Sequence, residues 1–257
     1  MDMTVAMPFY RAKYIGWLPF ESLIRQQNIN FEWELLLIEE DNNESFGYER
    51  ISEYISKLKE LGCKQVFYKK LNEWVPLAYK IGMLIEYSKG DILTFAIADH
   101  YSAPMRLKSC YDAFKSNIDW YRDSNLIFYD IQTEELAVRR ISSRGACCKA
   151  VQREIAEKIP IESDRWKGID GWFYKQCFKV KSMKQYINTN WEHGLNTHGF
   201  GNLTPERSSK LNNHSHKFLK YNVKLEDVVP IEIANRLRQA KNNLSKHVYS
   251  PTNRKPK

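Results

Sequence analysis

The chain has 257 residues, of which 43% are hydrophobic and 27% are charged, and these proportions are ordinary for a soluble globular protein. It has no apolar run near 18 residues and no signal-peptide pattern at its start, which argues against a membrane span and a secreted protein. The net charge of +8 arises at one end, because residues 1–206 carry 27 Lys and Arg against 28 Asp and Glu, whereas residues 207–257 carry 12 against 3. Such a basic segment can bind a phosphate backbone or an anionic membrane surface, or it can be a solvated end.

The five cysteines indicate a reducing compartment. Their number is odd and no two have the CxxC spacing, so buried thiols are favoured over a zinc site or a disulfide framework. The sequence therefore predicts a cytoplasmic protein. The cysteines are Cys63, Cys110, Cys147, Cys148 and Cys177.

The first part of the chain predicts strands that alternate with helices. Residues 4–9 form a short apolar run ended by Pro8, and residues 15–28 carry apolar side chains at helix spacing. Residues 34–38 are a compact aliphatic strand that leads directly into the acidic residues 39–41.

The alternation continues through residue 114. A helix through Ile51 and Leu61 ends at Gly62, the position of a C′ glycine. A strand at 65–68, a helix at 77–89, a strand at 91–98 and a helix from Pro104 follow. Strands alternating with helices of this length predict βαβ units with right-handed crossovers. The fold class is therefore α/β with a mostly parallel sheet.

Beyond residue 120 the pattern is looser. A segment of small residues at 145–148 leads into a predicted helix at 149–158, and residues 188–203, rich in Asn, Gly and His, predict a loop. A helix is expected from Pro230, with the proline in its first turn. Residues 250–257 are expected to be disordered.

Three predicted strand ends carry polar or aromatic residues, and in open α/β sheets ligands bind beyond the carboxyl ends of the strands. These ends are 9–11 (Phe-Tyr-Arg), 39–41 (Glu-Glu-Asp) and 99–100 (Asp-His). A divalent metal that holds a phosphate, together with a hydrogen-bonding ribose, would satisfy both acidic ends. The absence of a Walker A or GxGxxG element argues against ATP-dependent phosphoryl transfer and a Rossmann dehydrogenase.

Five segments in this order resemble the family 2 glycosyltransferases of the GT-A fold. They are VAMPFYRAKYIGWLPFESLIRQQ, FEWELLLIEEDNNES, GDILTFAIADHYSAPMRL, RGACCKAVQREI and GIDGWFYKQC. The resemblance implies a GT-A-like α/β domain over residues 1–206, with a nucleotide-sugar half at about 1–104 and an acceptor half at about 105–206. A basic, partly helical C-terminal extension at 207–257 would follow it.

The resemblance also implies a donor site and a metal site. Asp99 corresponds to the last acid of the family's D-x-D motif, although Ile97 stands where the first would be. Asp99 would hold Mn²⁺ or Mg²⁺, and His198 would contribute to the metal or phosphate, with a solvated loop histidine as the alternative for His198. His100 is interpreted as a neighbour of the site. The implied donor-binding residues are Pro8, Phe9, Tyr10, Glu39, Glu40 and Asp99.

The implied acceptor side contains the general base. Asp170 would take the proton of the attacking hydroxyl, and the alternative for it is a helix N-cap. Gly145, Ala146 and Trp172 would border the acceptor.

The predicted function is therefore a metal-dependent, inverting glycosyltransferase that uses a nucleotide-sugar, a UDP-linked one in the first instance. The acceptor would be a surface glycan or lipid-linked sugar, or a hydroxylated base in modified DNA that must be extruded to reach the general base. Accordingly, the protein could associate peripherally with a membrane or with DNA. The alternative is a non-catalytic nucleic-acid-binding module on a degenerate GT-A scaffold.

Overall fold

A computed structural model describes most of the first 160 residues and several later segments. The described residues are 1–10, 12–41, 44–123, 125–131, 134–140, 149–160, 173, 176–177, 185–188, 195–198, 218–220 and 223–244. Helices and strands alternate through the first half, as the sequence predicts. The elements of this half are β1 (Met3–Pro8), α1 (Trp17–Leu23), β2 (Trp33–Glu40), α2 (Tyr48–Glu60), β3 (Cys63–Leu71), α3 (Leu77–Tyr87), β4 (Ile92–Phe95), β5 (His100–Tyr101) and α4 (Arg106–Phe114).

The second half contains mainly short strands, followed by one long helix. These elements are β6 (Trp120–Asp123), β7 (Asn125–Asp130), β8 (Glu135–Arg140), β9 (Lys149–Gln152), α5 (Arg153–Ala156), β10 (Gln185–Asn188), β11 (Leu195–His198), β12 (Phe218–Lys220), a 3₁₀ turn (Leu225–Asp227) and α6 (Ile231–Leu244).

Two sheets organise the described residues. The seven-stranded sheet has the order β10-β6-β9-β4-β1-β2-β3, and β1 pairs in parallel with both β2 and β4. The antiparallel strand β9 lies between β4 and β6. The five-stranded sheet has the order β12-β8-β7-β11-β5. The predicted α/β fold with a mostly parallel sheet is confirmed.

The main sheet is covered on both faces, so β1 and β2 are buried along their whole length. This is why both strands are nearly continuous apolar runs. One core cluster joins alternate strand residues to α1, α2, α4 and α6, and the other joins the opposite face to α3 and α5. Among the described residues, no helix is both long and apolar enough to span a bilayer. Cys63, Cys110 and Cys177 are free and buried, as predicted, and the other two cysteines lie outside the described residues.

Two predictions about the second half are wrong. Residues 149–152 form strand β9 and not the start of a helix, because they pair on both sides with β4 and β6, and only 153–156 are helical. Residues 188–203 are not a continuous loop, since Asn188 ends β10 and 195–198 form β11. In both cases pairing with distant strands decides a conformation that local composition leaves open.

The predicted helix after Pro230 is confirmed as α6, and it packs into the first core cluster through Ile233, Ala234 and Leu237. Three basic side chains of α6 form ion pairs with acidic residues: Arg236 with Glu21 (3.2 Å), Arg238 with Glu226 (2.5 Å) and Lys241 with Glu134 (2.7 Å). The predicted boundary between residues 206 and 207 lies outside the described residues and stays a prediction. The helical part of the extension is nevertheless built into the core.

Candidate functional site

The carboxyl ends of β1, β2 and β4 meet at one edge of the main sheet. Pro8 is the Cα partner of Ile38 on β2, and β4 runs in parallel on the other side of β1. Because parallel strands share their direction, Tyr10, Glu40 and the segment after Phe95 reach the same edge. The donor-binding residues predicted from sequence therefore lie at or beside this edge, where a ligand crevice is expected in an open α/β sheet.

Phe9 has a different position from the one predicted. Its side chain is 0% exposed, and its ring packs edge-on against Phe20 (centroids 6.2 Å apart) and Phe46 (6.1 Å). A ring enclosed in this way is part of the core and cannot frame a nucleobase in this conformation. Pro8 is also buried, whereas Tyr10 is 40% exposed and accessible to a ligand.

Glu39 is saturated by donors from the protein. One carboxylate oxygen accepts hydrogen bonds from the Gly47 amide (2.8 Å) and the Tyr68 hydroxyl (2.9 Å), and the other accepts one from the Phe46 amide (2.8 Å). Burial, with Glu39 beside it, raises the pKa of Tyr68. Glu39 thus fixes the segment that enters α2, which leaves it little capacity for a nucleoside.

Glu40 projects to the opposite face because side chains alternate along a strand. Its Oε1 lies 2.6 Å from Lys80 Nζ, which also donates to the Phe9 carbonyl at 2.5 Å, and both side chains are almost fully buried. Burial lowers the pKa of Lys80, and Glu40 opposes that effect. The Glu40 Oε2 is buried and accepts no hydrogen bond from the described part of the chain. Lys80 Nζ lies 5.5 Å from the centroid of the Tyr10 ring, so an exposed aromatic face and a buried ion pair stand together at the crevice.

Asp99 lies in a turn directly after β4 and is half-buried. The Ala96 amide donates to the Ala6 carbonyl at 3.0 Å, and the His100 amide donates to the Ile97 carbonyl at 3.0 Å. The His100 ring is fully buried, and neither of its nitrogens has a hydrogen-bond partner in the described residues. Burial, with the positive charge of Arg106, lowers the pKa of His100 to about 3, so this imidazole is neutral.

Strand β11 brings the backbone of His198 close to this turn. In the antiparallel pair of β11 and β5, Asn196 is the Cα partner of His100. His198 lies two residues beyond Asn196, and Asp99 directly precedes His100, so residues 99 positions apart in sequence become neighbours in the fold. The side chain of His198 lies outside the described part of the structure, and its predicted role as a ligand stays a prediction.

The residues at this turn fit a hard divalent cation that takes most of its coordinating oxygens from a bound phosphate group and from water. Asp99 is a half-buried carboxylate, and carboxylate oxygen is the donor type that Mg²⁺ and Mn²⁺ prefer. In the described residues, no three His, Cys, Asp or Glu side chains form a metal cluster of their own. One carboxylate plus phosphate oxygens and water would suit this arrangement, since Mg²⁺ is commonly held by one or two carboxylates and substrate phosphates.

The predicted acceptor residues Gly145, Ala146, Asp170 and Trp172 all lie outside the described residues, so their roles stay predictions. Phe173, the residue directly after Trp172, is described and packs against β4. The Phe173 ring packs edge-on against Phe95, with centroids 6.2 Å apart, and Phe95 is the last residue of β4. Phe173 therefore packs at the end of the strand that precedes the Asp99 turn.

Two buried cations at this edge were missed by the sequence analysis. Lys80 lies among inward-facing apolar residues of α3, and Arg106 follows Pro104 at the start of α4. A lysine on the apolar face of a helix is a signal that could have been used, because buried lysines are almost always paired. Arg106 has no comparable signal, since its partners Thr94 and Asp123 lie on two different strands that only the folded sheet brings to the start of α4.

Of the comparisons with known proteins, the one with solved structures bears on the fold. No protein-family model matches the sequence, and no curated protein matches it. Among solved structures, TarS of S. aureus superposes with a TM-score of 0.61 at 13% identity, covering 96% of this chain and 53% of that chain. TarS 1–349 in complex with UDP gives 0.60 at 13% identity, covering 96% and 87%. TarS 1–349 in complex with UDP-GlcNAc gives 0.59 at 14% identity, covering 98% and 74%.

The chain spans about half the length of the TarS chain. TarS is a GT-A-type glycosyltransferase, and the superposition shows that the present chain has a GT-A-like glycosyltransferase fold. At this level of identity the likeness concerns the fold, and the chemistry must be argued from the site.

Proposed function

We propose that the protein is a metal-dependent glycosyltransferase that transfers a sugar from a UDP-linked donor to a hydroxyl acceptor. The observation that supports this most is the meeting of Asp99, the backbone of His198 and the ends of β1 and β2 at one sheet edge. TarS 1–349 was solved with UDP and with UDP-GlcNAc, and its fold is similar to this one. A donor of the same class is therefore the first to test.

Donor binding divides between the two sides of the crevice. The exposed ring of Tyr10 offers a stacking face for the nucleobase, whereas Glu40 is buried with Lys80 and supports the strand end beside that ring. Asp99 holds the metal, with His198 beside it. The metal, when bound, neutralises the charge that develops on the departing diphosphate.

On the acceptor side, the chain supplies the base. Asp170 accepts the proton of the acceptor hydroxyl as that oxygen attacks the anomeric carbon from the face opposite the diphosphate, and this geometry inverts the anomeric centre. Trp172, Gly145 and Ala146 border the acceptor. The acceptor itself is a surface glycan or lipid-linked sugar, or a hydroxylated DNA base. Three basic side chains of α6 already form ion pairs with acidic residues. If the acceptor is a polyanion, other basic residues of the chain would therefore bind it.

Donor hydrolysis tests this proposal without knowledge of the acceptor. UDP-, GDP-, dTDP- and CMP-sugars are incubated with Mn²⁺ or Mg²⁺, and again with EDTA, and nucleotide release is followed by mass spectrometry. We expect UDP to be released from the UDP-sugar when Mn²⁺ or Mg²⁺ is present and not when EDTA is present. Asp99→Asn should lower this rate at least about a hundredfold, the scale of losing one pre-organised electrostatic group.

Asp91→Asn is the matched control, because Asp91 is exposed and lies directly before the other end of β4. It should keep the wild-type rate. Release that is insensitive to EDTA, or an Asp99→Asn variant as active as Asp91→Asn, would contradict the proposal.

A further inference from the structure

A second buried ion pair lies beneath the turn that carries Asp99. Arg106 and Asp123 are only 2% and 1% exposed in their side chains, and Arg106 Nε lies 3.7 Å from Asp123 Oδ2. The Tyr121 hydroxyl donates to Asp123 Oδ1 at 2.7 Å. The guanidinium also donates to Thr94 Oγ1 at 3.2 Å. The pair therefore connects α4 and β6 to the strand that leads into the metal turn.

Strand register explains how one arginine reaches both strands. Thr94 of β4 is the Cα partner of Ala150 on β9, and Ala150 is the partner of Tyr121 on β6. These three residues form one row across the sheet. Ala150 and Tyr121 belong to the core cluster that also contains Leu107 of α4.

Stability alone is a weak reason for burying such a pair. Desolvation of two charges costs free energy that their attraction often fails to recover, and apolar residues of similar volume are frequently as stable. The planar guanidinium of Arg106 instead contacts the Thr94 hydroxyl on one strand and lies beside the Asp123 carboxylate on another. It therefore fixes the position of these two strands relative to α4. Thr94 and Arg106 bracket Asp99 in the sequence, so their hydrogen bond closes the base of the loop that carries it.

The same loop is held at a second point. The Gln26 side chain donates to the Ala103 carbonyl at 2.8 Å and accepts from the Leu107 amide at 2.9 Å. Gln26 is buried. The chain that follows the Asp99 turn is thus fixed to the core by Gln26 as well as by Arg106.

We propose that Arg106, through Thr94 and Asp123, is a positioning residue that holds the Asp99 turn in the geometry that binds the metal. This inference rests on the proposed function, because it assigns a supporting role to residues behind the proposed metal ligand. The proposed nucleobase contact lies at Tyr10, away from this ion pair. The positioning role therefore affects metal binding and leaves metal-free nucleotide binding unchanged.

The test is Mn²⁺ binding in the presence of saturating UDP, measured from the EPR signal of free Mn²⁺. Thr94→Val removes the hydroxyl from the metal strand at nearly constant volume and leaves the ion pair in place. Its Mn²⁺ affinity should fall about tenfold, the equivalent of one hydrogen bond to a charged group. Its affinity for UDP in EDTA should match that of the wild type.

Thr4→Val is the matched control. Thr4 is equally buried on the neighbouring strand β1, and its hydroxyl donates to Glu34 and accepts from the Gly90 amide, away from the crevice. It should lose stability and keep the wild-type Mn²⁺ affinity. Arg106→Lys provides a second variant, because one ammonium group cannot serve both strands in place of the planar fork. Its Mn²⁺ affinity should also fall, which keeps the test valid if Thr94→Val does not fold.

The outcomes separate the two proposals. Wild-type affinity for Mn²⁺ in Thr94→Val and Arg106→Lys would overturn the positioning role while leaving the proposed function intact. An equal loss in Thr4→Val would also overturn it, by attributing the effect to general destabilisation. If the wild-type protein with UDP binds no Mn²⁺, the metal-dependent function fails and the positioning role fails with it.

Discussion

Glu39 and Glu40 are adjacent in sequence, yet their side chains have different environments. Both are the last residues of β2, and strand alternation directs Glu39 towards α2 and Glu40 towards α3. The sequence predicted an acidic pair at the carboxyl end of a strand, and both residues do end β2. It did not indicate that Glu39 would be occupied by the amides of 46 and 47, because those donors depend on how the following loop folds back.

The pair of Glu40 and Lys80 provides a stability prediction at the residue scale. Glu40→Gln or Lys80→Met alone leaves one buried charge unpaired, so each should lower the free energy of unfolding by about 3–5 kcal/mol. The double variant leaves no buried charge and should cost less than the sum of the two. Urea denaturation of the four proteins measures this coupling.

The exposed ion pair of Lys70 with Asp41, at 2.7 Å, is the control for that experiment. Asp41 is the residue after Glu40, so Asp41→Asn changes a carboxylate at the same strand end. Because this pair is solvated, its loss should leave the unfolding midpoint nearly unchanged. Single variants of Glu40 and Lys80 as mild as Asp41→Asn would contradict the assignment of a buried, interdependent pair.

At the scale of elements, periodicity and glycine or proline signals predicted β1 to α4 well. They failed where a short segment takes its conformation from distant partners. β9 and β11 are four-residue strands, and each pairs on both sides with strands far away in sequence. The Asn, Gly and His composition around β11 indicated a loop, although that strand is what brings residue 198 beside the Asp99 turn.

For helix α6, the charge pattern of the sequence and the packing in the structure lead to different conclusions about whether the helix belongs to the main domain. The basic composition of residues 207–257 suggested a separate extension, whereas the apolar face of α6 is part of the main core. Leu237→Ala should therefore lower the free energy of unfolding by about 2–5 kcal/mol, as for other buried leucines. Gln239→Ala, two residues along on the exposed face, should have almost no effect. Equal effects in urea denaturation would mean that α6 is not part of the cooperative core.

At the scale of the whole molecule, the core residues and the polar residues of the candidate site lie in different parts of the fold. The two core clusters cover the faces of the main sheet, and the polar residues of the candidate site gather at the carboxyl edge of its strands. The sequence predicted this edge because Tyr10, Glu40 and Asp99 all follow or end apolar strands. Of the two buried cations near this edge, Lys80 has a signal in the apolar pattern of its helix, whereas Arg106 required the three-dimensional structure.

Metal-dependent binding of UDP is the central claim, and calorimetric titration of UDP into the protein tests it most directly. With Mn²⁺ present, we expect saturable binding with one site per chain. With EDTA, the affinity should fall at least about tenfold, because the diphosphate then has no cation to bridge it to Asp99. Equal affinity in Mn²⁺ and in EDTA, or no binding of UDP in either, would contradict the account.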